Sequence, residues 1–164
     1  MAAWRDLIGD FPGALLAEGA LCFPPFPGRG EVLSRPGGPV LLLDGAHTPG
    51  SCSALAEDLQ ARIPELGAPH GHGKPHLVVA FHPDKDWRAC LRSLADLVDK
   101  TTVVPLAEGN GVATEDIAGE LRALGIETRV ADDPMAVLEG GERCYLVTGS
   151  FHLVGEVRRR WLGL

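Results

Sequence analysis

The chain has 164 residues, a formal net charge of −7, and 45% hydrophobic against 23% charged residues. A chain of this length can bury about 68–70% of its unfolded surface, so it can fold without disulfides or a structural metal. The composition excludes a disordered chain, a collagen and a coiled coil. The negative charge argues against binding to nucleic acid or an anionic membrane, because phosphate groups are bound by clustered Lys and Arg.

The basic run and the cysteines carry no sign of a nucleic-acid or redox function. The run of arginines at residues 158–160 is interpreted as the solvated last turn of a helix, where positive charge suits the helix dipole. The four cysteines form no C-x-x-C pair, so we expect free thiols in a reducing compartment. No secretory signal and no apolar run long enough for a membrane span is found. We therefore expect a cytoplasmic protein with no membrane partner.

The amino-terminal residues differ from the rest of the chain. Trp4, Leu7 and Ile8 predict a helix that breaks near residues 12–13, and the proline-rich residues 22–28 predict a stiff linker. We therefore predict a boundary near Gly28. Residues 1–28 would form a helical tail and linker, and residues 29–164 would form one α/β domain.

Short β-rich runs alternate with amphipathic segments in the remaining chain, as in successive βαβ units. The predicted strands are residues 40–43, 77–81, 102–104, 127–130 and 145–147, with an antiparallel edge strand at 31–34. The predicted helices are residues 51–63, 86–98, 114–124, 134–138 and 151–162. Most strand segments are apolar on both faces, which is typical of strands covered by helices on both sides. We predict an α/β fold with a mostly parallel sheet of about six strands.

Polar residues follow three of the predicted strands. Residues 44–50 follow the first long strand, residues 82–86 the second, and residues 148–150 the last. Because ligands of an open parallel sheet bind at the carboxyl ends of its strands, we expect these loops to meet on one rim. Helix N-termini and free backbone amides at such a rim suit an anion such as phosphate or carboxylate.

Each rim residue also has a purely structural interpretation. Asp44 could cap its own loop, and Ser150 could be the N-cap of the last helix. Asp84 or Asp86 could begin the helix after the second strand, and His47 could be a partly exposed loop imidazole. Their joint placement at one rim favours a shared site over these separate interpretations.

Two nucleotide-binding motifs are incomplete in this sequence. Gly73 and Lys74 resemble the end of a phosphate loop, but Ala68 stands in place of the first glycine and Pro75 in place of the Ser or Thr. The glycines on either side of Arg29 do not continue into a G-x-G-x-x-G motif. The sequence given therefore contains no complete phosphate loop.

Four histidines are the candidate metal ligands: His70, His72, His76 and His82. A loop rich in Gly and Pro does not fix ligand geometry, and no Asp, Glu or Cys lies among the first three. We predict no metal site in this chain.

Four motifs, in order along the chain, resemble the C-terminal domain of folylpolyglutamate synthase/dihydrofolate synthase, in the wider Mur ligase family. They are residues 27–31 (PGRGE), 43–49 (LDGAHTP), 84–86 (DKD) and 146–150 (LVTGS) with 153–157 (LVGEV). The resemblance implies a Rossmann-like three-layer sandwich with one antiparallel edge strand. It also implies an ATP-dependent ligase that activates a carboxylate of a folate or dihydropteroate as an acyl phosphate, joins it to L-glutamate and releases ADP.

The resemblance further implies a division of labour between two domains. In that family a separate N-terminal ATPase domain carries the phosphate loop and the magnesium site, and the C-terminal domain closes over it. ATP and Mg²⁺ would therefore be held mainly by the N-terminal domain. This chain would be the C-terminal domain, inactive alone, with residues 1–28 as the end of the missing domain.

Roles for single residues follow from the same resemblance. Arg29 would reach the γ-phosphate, and Asp44 would accept from a ribose hydroxyl. His47 would lie beside the phosphates or the incoming glutamate, and Ser150 would help to hold the glutamate carboxylate. Lys85, because of its position on the rim, is a further cation for the acidic intermediate. None of these residues is a nucleophile, so catalysis would come from orientation and charge stabilisation.

The sequence departs from the family pattern at two places. Thr48, which would also lie beside the nucleotide, stands where the family usually has asparagine. Residues 105–112 lack the arginine often found in that loop. These departures leave open a non-catalytic module that binds an anion or a protein. A peptidoglycan-type ligase for another amino acid is less expected, because the run that begins at Asp44 is more similar to the folate enzymes.

Overall fold

Six strands alternate with helices in the part of the chain that the structure describes. The computed structural model describes residues 26–67, 74–142 and 144–164. The strands are β1 (Glu31–Ser34), β2 (Val40–Leu43), β3 (His76–Val79), β4 (Lys100–Val103), β5 (Glu127–Val130) and β6 (Cys144–Thr148). The helices are α1 (Pro49–Gly67), α2 (Trp87–Leu94), α3 (Thr114–Ala123), α4 (Pro134–Leu138) and α5 (Phe151–Leu162). The predicted amino-terminal helix and most of the proline-rich linker lie outside the described residues.

The strands form one sheet in the order β1-β2-β6-β3-β4-β5. β1 is antiparallel to β2, and the other neighbouring pairs are parallel. β6 is the last strand in the chain but lies between β2 and β3, so that Leu146 is opposite both Leu42 and Leu77. The predicted α/β fold, with a mostly parallel sheet and one antiparallel edge strand, is confirmed.

Helices cover both faces of the sheet and bury two apolar clusters. Leu42, Leu77 and Leu146 pack with α1, α2 and α3 on one face. Leu41 and Val147, which are neighbours of those residues along the strands, pack with α4 and α5 on the other face. Successive side chains of a strand point to opposite faces, so continuous apolar runs supply both clusters at once. The result is the expected three-layer sandwich.

The arrangement of helices creates a crevice at the carboxyl ends of the central strands. α1 follows β2 and covers one face, whereas α5 follows the neighbouring strand β6 and covers the other. The chain therefore leaves adjacent strands in opposite directions, which is the switch point where open α/β sheets bind ligands.

The bounds of several elements differ from the prediction by a few residues, β3 and α2 among them. β3 ends at Val79 and does not continue to residue 81, because the Phe81 carbonyl accepts a hydrogen bond from the Val112 amide in a loop (2.9 Å). The predicted helix at 86–98 is α-helical only to Leu94, and a 3-10 turn follows at Ala95–Leu97. Asp86 begins this helix as expected, since its carboxylate accepts from the Ala89 amide (3.1 Å).

The basic run at residues 158–160 is less solvated than predicted. Arg158 lies against Glu31, with its Nε within 3.0 Å of both carboxylate oxygens. Arg160 contacts Asp133 at 2.7 Å and Glu156 at 3.0 Å. The run therefore ties the last helix to the rest of the domain. Within the described ranges, none of the helices is long and apolar enough to cross a membrane.

Candidate functional site

A cleft of about 410 Å³ lies at the carboxyl ends of β2, β3 and β6. Its walls come from the loops that follow these strands and from the first turn of α5. The lining residues are His47, His82, Asp84, Lys85, Gly149, Ser150, Phe151 and His152. The predicted meeting of the three rim loops is therefore observed.

Asp44 organises the loop that follows β2. One carboxylate oxygen accepts from the Ala46 amide and the other from the Gly30 amide, each at 2.8 Å. The Gly45 amide donates to the Gly28 carbonyl (2.8 Å) beside this contact. Asp44 thus caps its own loop, as the structural interpretation predicts, and also joins that loop to the segment that carries Arg29. Each carboxylate oxygen can accept more than one hydrogen bond, so capping does not exclude a ligand contact.

Arg29 and His47 both contact the Phe151 ring. The Arg29 guanidinium is 5.0 Å from the ring centroid, and the His47 ring meets it edge-on at 5.4 Å. The Nδ1 of His47 lies 2.7 Å from the Gly45 carbonyl oxygen. Because a carbonyl only accepts, Nδ1 carries the proton in the neutral ring, and Nε2 is left as the acceptor.

Ser150 is both the N-cap of α5 and part of the cleft wall. Its hydroxyl oxygen accepts from the His152 amide (3.1 Å), and the residue is 2% exposed. Gly149 before it has φ of +93°, and a Cβ there would lie 2.4 Å from the Ala80 carbonyl oxygen, so only glycine fits. The strand-to-helix turn is therefore held in one conformation, with the amides of the α5 N-terminus at the cleft.

Lys85 brings less positive charge to the cleft than the sequence suggests. Its Nζ lies 2.8 Å from the Asp84 carboxylate. The hydrogen bond from Lys85 lowers the pKa of Asp84, so this carboxylate is ionised at neutral pH and offsets the lysine charge. Lys85 is still a cation at the rim, and a more strongly charged anion could attract its ammonium group away from Asp84.

The loop after β4 lies beside the cleft and contacts one of its lining residues, His152. Glu108 of this loop lies 3.0 Å from Nδ1 of His152, and the His152 ring stacks edge-on against His82 at 5.3 Å. Phe151 and His152 could have been found from their place in the last motif, directly after Ser150. Nothing in the local sequence marks Glu108.

Most of the predicted site residues lie close together, and Lys85 lines the same cleft as His47 and Ser150. Arg29, Asp44, His47 and Ser150 are brought together through the contacts described above. Thr48 lies at the margin, where its side chain and that of Ser51 are 2.9 Å apart at the start of α1.

The two candidate histidine ligands that the structure describes, His76 and His82, do not meet. His76 begins β3 and bonds Thr102, whereas His82 follows the other end of that strand. His70 and His72 lie outside the described residues. Among the residues that the structure describes, no three His, Cys, Asp or Glu side chains gather to hold a metal.

Comparison with known proteins identifies relatives of one kind, although no family model matches the chain. A protein of Halobacterium salinarum named "Probable bifunctional folylpolyglutamate synthase/dihydropteroate synthase" is 34% identical over 143 residues. This match covers 83% of the chain but only 16% of the relative. The chain therefore spans about one sixth of the length of this curated relative.

Solved structures give the same answer for the fold. The folylpolyglutamate synthase of Thermotoga maritima has a TM-score of 0.70 and 26% identity, over 80% of this chain and 30% of that enzyme. A bifunctional folylpolyglutamate synthase/dihydrofolate synthase with Mn, AMPPNP and L-glutamate bound has a TM-score of 0.65 and 28% identity, over 85% of this chain and 32% of that one. The predicted resemblance is confirmed, since the chain matches the C-terminal part of folylpolyglutamate synthases in both sequence and fold.

Proposed function

We propose that this chain is the nucleotide- and glutamate-contacting C-terminal domain of an ATP-dependent ligase that joins L-glutamate to a folate or dihydropteroate. The relatives named above are folylpolyglutamate synthases, and one related structure contains AMPPNP, Mn and L-glutamate. The observation that carries the proposal is the convergence of Arg29, Asp44, His47 and Ser150 on one rim of the sheet.

Arg29 and Asp44 are the proposed nucleotide contacts. Arg29 is exposed, and its planar guanidinium offers a bidentate, charge-assisted contact to a phosphate. Asp44 is half-buried and fixed by two backbone amides, so its remaining lone pairs have a defined direction toward a ribose hydroxyl. The Gly30–Asp44 hydrogen bond couples the positions of the two contacts.

His47, Ser150 and Lys85 are the proposed contacts for the reacting groups. The Ser150 hydroxyl accepts one hydrogen bond and still carries a proton to donate, next to the amides at the α5 N-terminus. A carboxylate of glutamate would be held there. Lys85 lines the same cleft and would stabilise the negative charge of the acyl phosphate. His47 lines it as well, and its Nε2 would accept a hydrogen bond from the amine of the incoming glutamate. These residues orient and stabilise, and none attacks the substrate.

ATP supplies the phosphoryl group that activates the folate carboxylate. The residues described here fit a partial nucleotide contact, through Arg29 and Asp44, but they include neither a phosphate loop nor a metal cluster. We therefore propose that a separate ATPase domain holds most of the nucleotide and the Mg²⁺, and that this chain is inactive alone. We also propose that the reaction takes place in the cytoplasm.

A second candidate function is a non-catalytic module that binds an anion or a protein at the same rim. An acid in the cleft lining favours it, because Asp84 pairs with Lys85. This pair reduces the positive charge available for an acidic intermediate. The turnover experiment below separates the two functions.

The test is release of ADP from ATP in the presence of a folate and L-glutamate. The 164-residue chain is assayed alone and after fusion to the part of the Thermotoga maritima enzyme that it does not match. We expect turnover only from the fusion. Arg29→Ala should lower that turnover about 10- to 100-fold, the effect of losing one or two charge-assisted contacts.

Lys74→Ala is the matched control, because Lys74 is also an exposed cation. It lies just before β3, at the amino ends of the parallel strands and away from the cleft. The substitution should leave turnover unchanged. Robust turnover by the chain alone would contradict the division between domains. A fusion that binds ATP and L-glutamate at the rim but never releases ADP would favour the non-catalytic module.

A further inference from the structure

Phe151 occupies the centre of the rim although it is an apolar side chain. It is 40% exposed, whereas Leu153, Val154, Val157 and Trp161 of the same helix are buried. The ring lies directly on the main chain of the loop after β2. A Cβ at Gly45 would be 2.2 Å from two ring carbons, so this close approach requires glycine.

Polar groups with proposed roles flank this ring. The Arg29 guanidinium lies 5.0 Å from its centroid, within the range of a cation–π interaction. The His47 imidazole meets the ring at 5.4 Å with an interplanar angle of 66°, the edge-to-face geometry that aromatic pairs prefer. Phe151 is therefore the side chain that contacts both Arg29 and His47.

Such contacts matter most for a long cationic side chain. A free arginine loses rotamer entropy when it is fixed. A guanidinium already held against a ring loses less of this entropy on binding an anion, and its NH groups remain available at their edge. The ring itself is rigid, because Gly45 and the N-terminal turn of α5 hold it on one side.

We propose that Phe151 is a positioning residue, whose ring holds the Arg29 guanidinium in the orientation that binds an anionic ligand at the rim. The role of that ligand as a nucleotide phosphate rests on the proposed function above. The ring acts through Arg29, and its contact with the His47 imidazole helps to fix the ring in place.

The test combines nuclear magnetic resonance with an anion titration of the full 164-residue chain. An aromatic ring shifts the resonances of protons that lie over its face. We expect the Arg29 side-chain protons to be shifted in this way, to lose the shift in Phe151→Leu and to keep it in Phe151→Tyr. Inorganic tripolyphosphate should bind about three- to fivefold more weakly to Phe151→Leu, with the affinity restored in Phe151→Tyr.

Phe26→Leu is the matched control, because Phe26 is an exposed phenylalanine close in sequence to Arg29. It should change neither the Arg29 resonances nor the affinity. In an Arg29→Gln background, Phe151→Leu should lower the affinity less than it does in the unsubstituted chain, since the ring acts through Arg29.

Unchanged Arg29 resonances in Phe151→Leu would overturn the inference, and so would an equal loss of affinity in both backgrounds. Failure of the unsubstituted chain to bind tripolyphosphate would contradict the proposed nucleotide contact instead. In that case the Arg29 resonances still decide whether the ring positions the arginine.

Discussion

Glu31 is a buried acid whose charge is balanced by Arg158. It is 8% exposed, and its carboxylate contacts Nε of Arg158 and accepts from the Gly28 amide at 2.8 Å. Arg158→Met would leave the carboxylate with the amide but without its cation. We expect the free energy of unfolding to fall by about 2 kcal/mol in urea denaturation, because a buried charge that loses its partner is poorly solvated.

Arg122→Met is the control for this prediction. Arg122 also forms an ion pair from a helix, but its side chain and that of Glu115 are 48% and 71% exposed. An exposed pair contributes little, so the free energy of unfolding should change by no more than about 0.5 kcal/mol. An equal effect of both substitutions would show that burial of Glu31 does not matter.

The buried position of His76 predicts that the domain loses stability in mild acid. Burial lowers the pKa of His76, and the positive charges of Arg129 and Lys100 lower it further. The carboxylates of Glu142 and Glu127 raise the pKa, but the net shift is downward. The unfolded chain therefore takes up a proton near pH 6.5 that the native state does not bind. The contribution of His76 to stability is complete above that pH and is lost as the pH falls toward the folded pKa.

The measurement is the free energy of unfolding between about pH 7.5 and pH 5.5. This one group can contribute a slope of at most about 1.4 kcal/mol per pH unit. His76→Gln should flatten the profile in that range, because glutamine cannot titrate. A profile as steep as that of the unsubstituted chain would contradict the assignment to His76.

At the scale of elements, the turn between β6 and α5 restricts which residue can occupy position 149. Gly149 has φ of +93°, and a Cβ there would collide with the Ala80 carbonyl oxygen. Gly149→Ala should lower the free energy of unfolding by about 3 kcal/mol, since both backbone strain and overpacking oppose it. Thermal and urea denaturation measure this change.

Gly155→Ala provides the opposite case within α5 itself. Gly155 is exposed in the helix, and nothing lies within 4 Å of an added Cβ. Alanine is the better helix former, so stability should rise by about 0.5–1 kcal/mol. If both substitutions changed the free energy of unfolding in the same direction, the conformation of the turn would not explain the effect of Gly149→Ala.

The strands and helices were predictable because their apolar patterns are unambiguous. The bounds of β2, β5, α4 and α5 agree with the prediction, and each follows or precedes a clear turn or cap, such as Asp133 before α4. The end of β3 was not predictable. Ala80 and Phe81 are as apolar as the strand, and only the hydrogen bond from distant Val112 shows that pairing has ended.

The site was predictable only where local motifs carry it. Asp44, His47 and Ser150 follow strands directly, so the parallel sheet itself brings them together. Glu108 comes within 3.0 Å of His152 through the path of a loop, which no local pattern determines. The role of Gly45 likewise depends on the Phe151 ring, a residue that is distant in the chain.

At the scale of the whole molecule, the order of strands predicts which backbone amides exchange most slowly with solvent. β6 pairs with β2 and β3 and is buried under helices on both faces, whereas β5 pairs with β4 alone and is half-exposed along its length. Opening of β6 therefore requires global unfolding, but β5 and the adjoining α3 can separate first. We expect native-state hydrogen exchange to give β6 an opening free energy equal to the global value and β5 a lower one. Gly155→Ala should raise the opening free energy of β6 by its full effect on stability and that of β5 by less. Equal protection of β5 and β6 would show that the domain opens only as one unit.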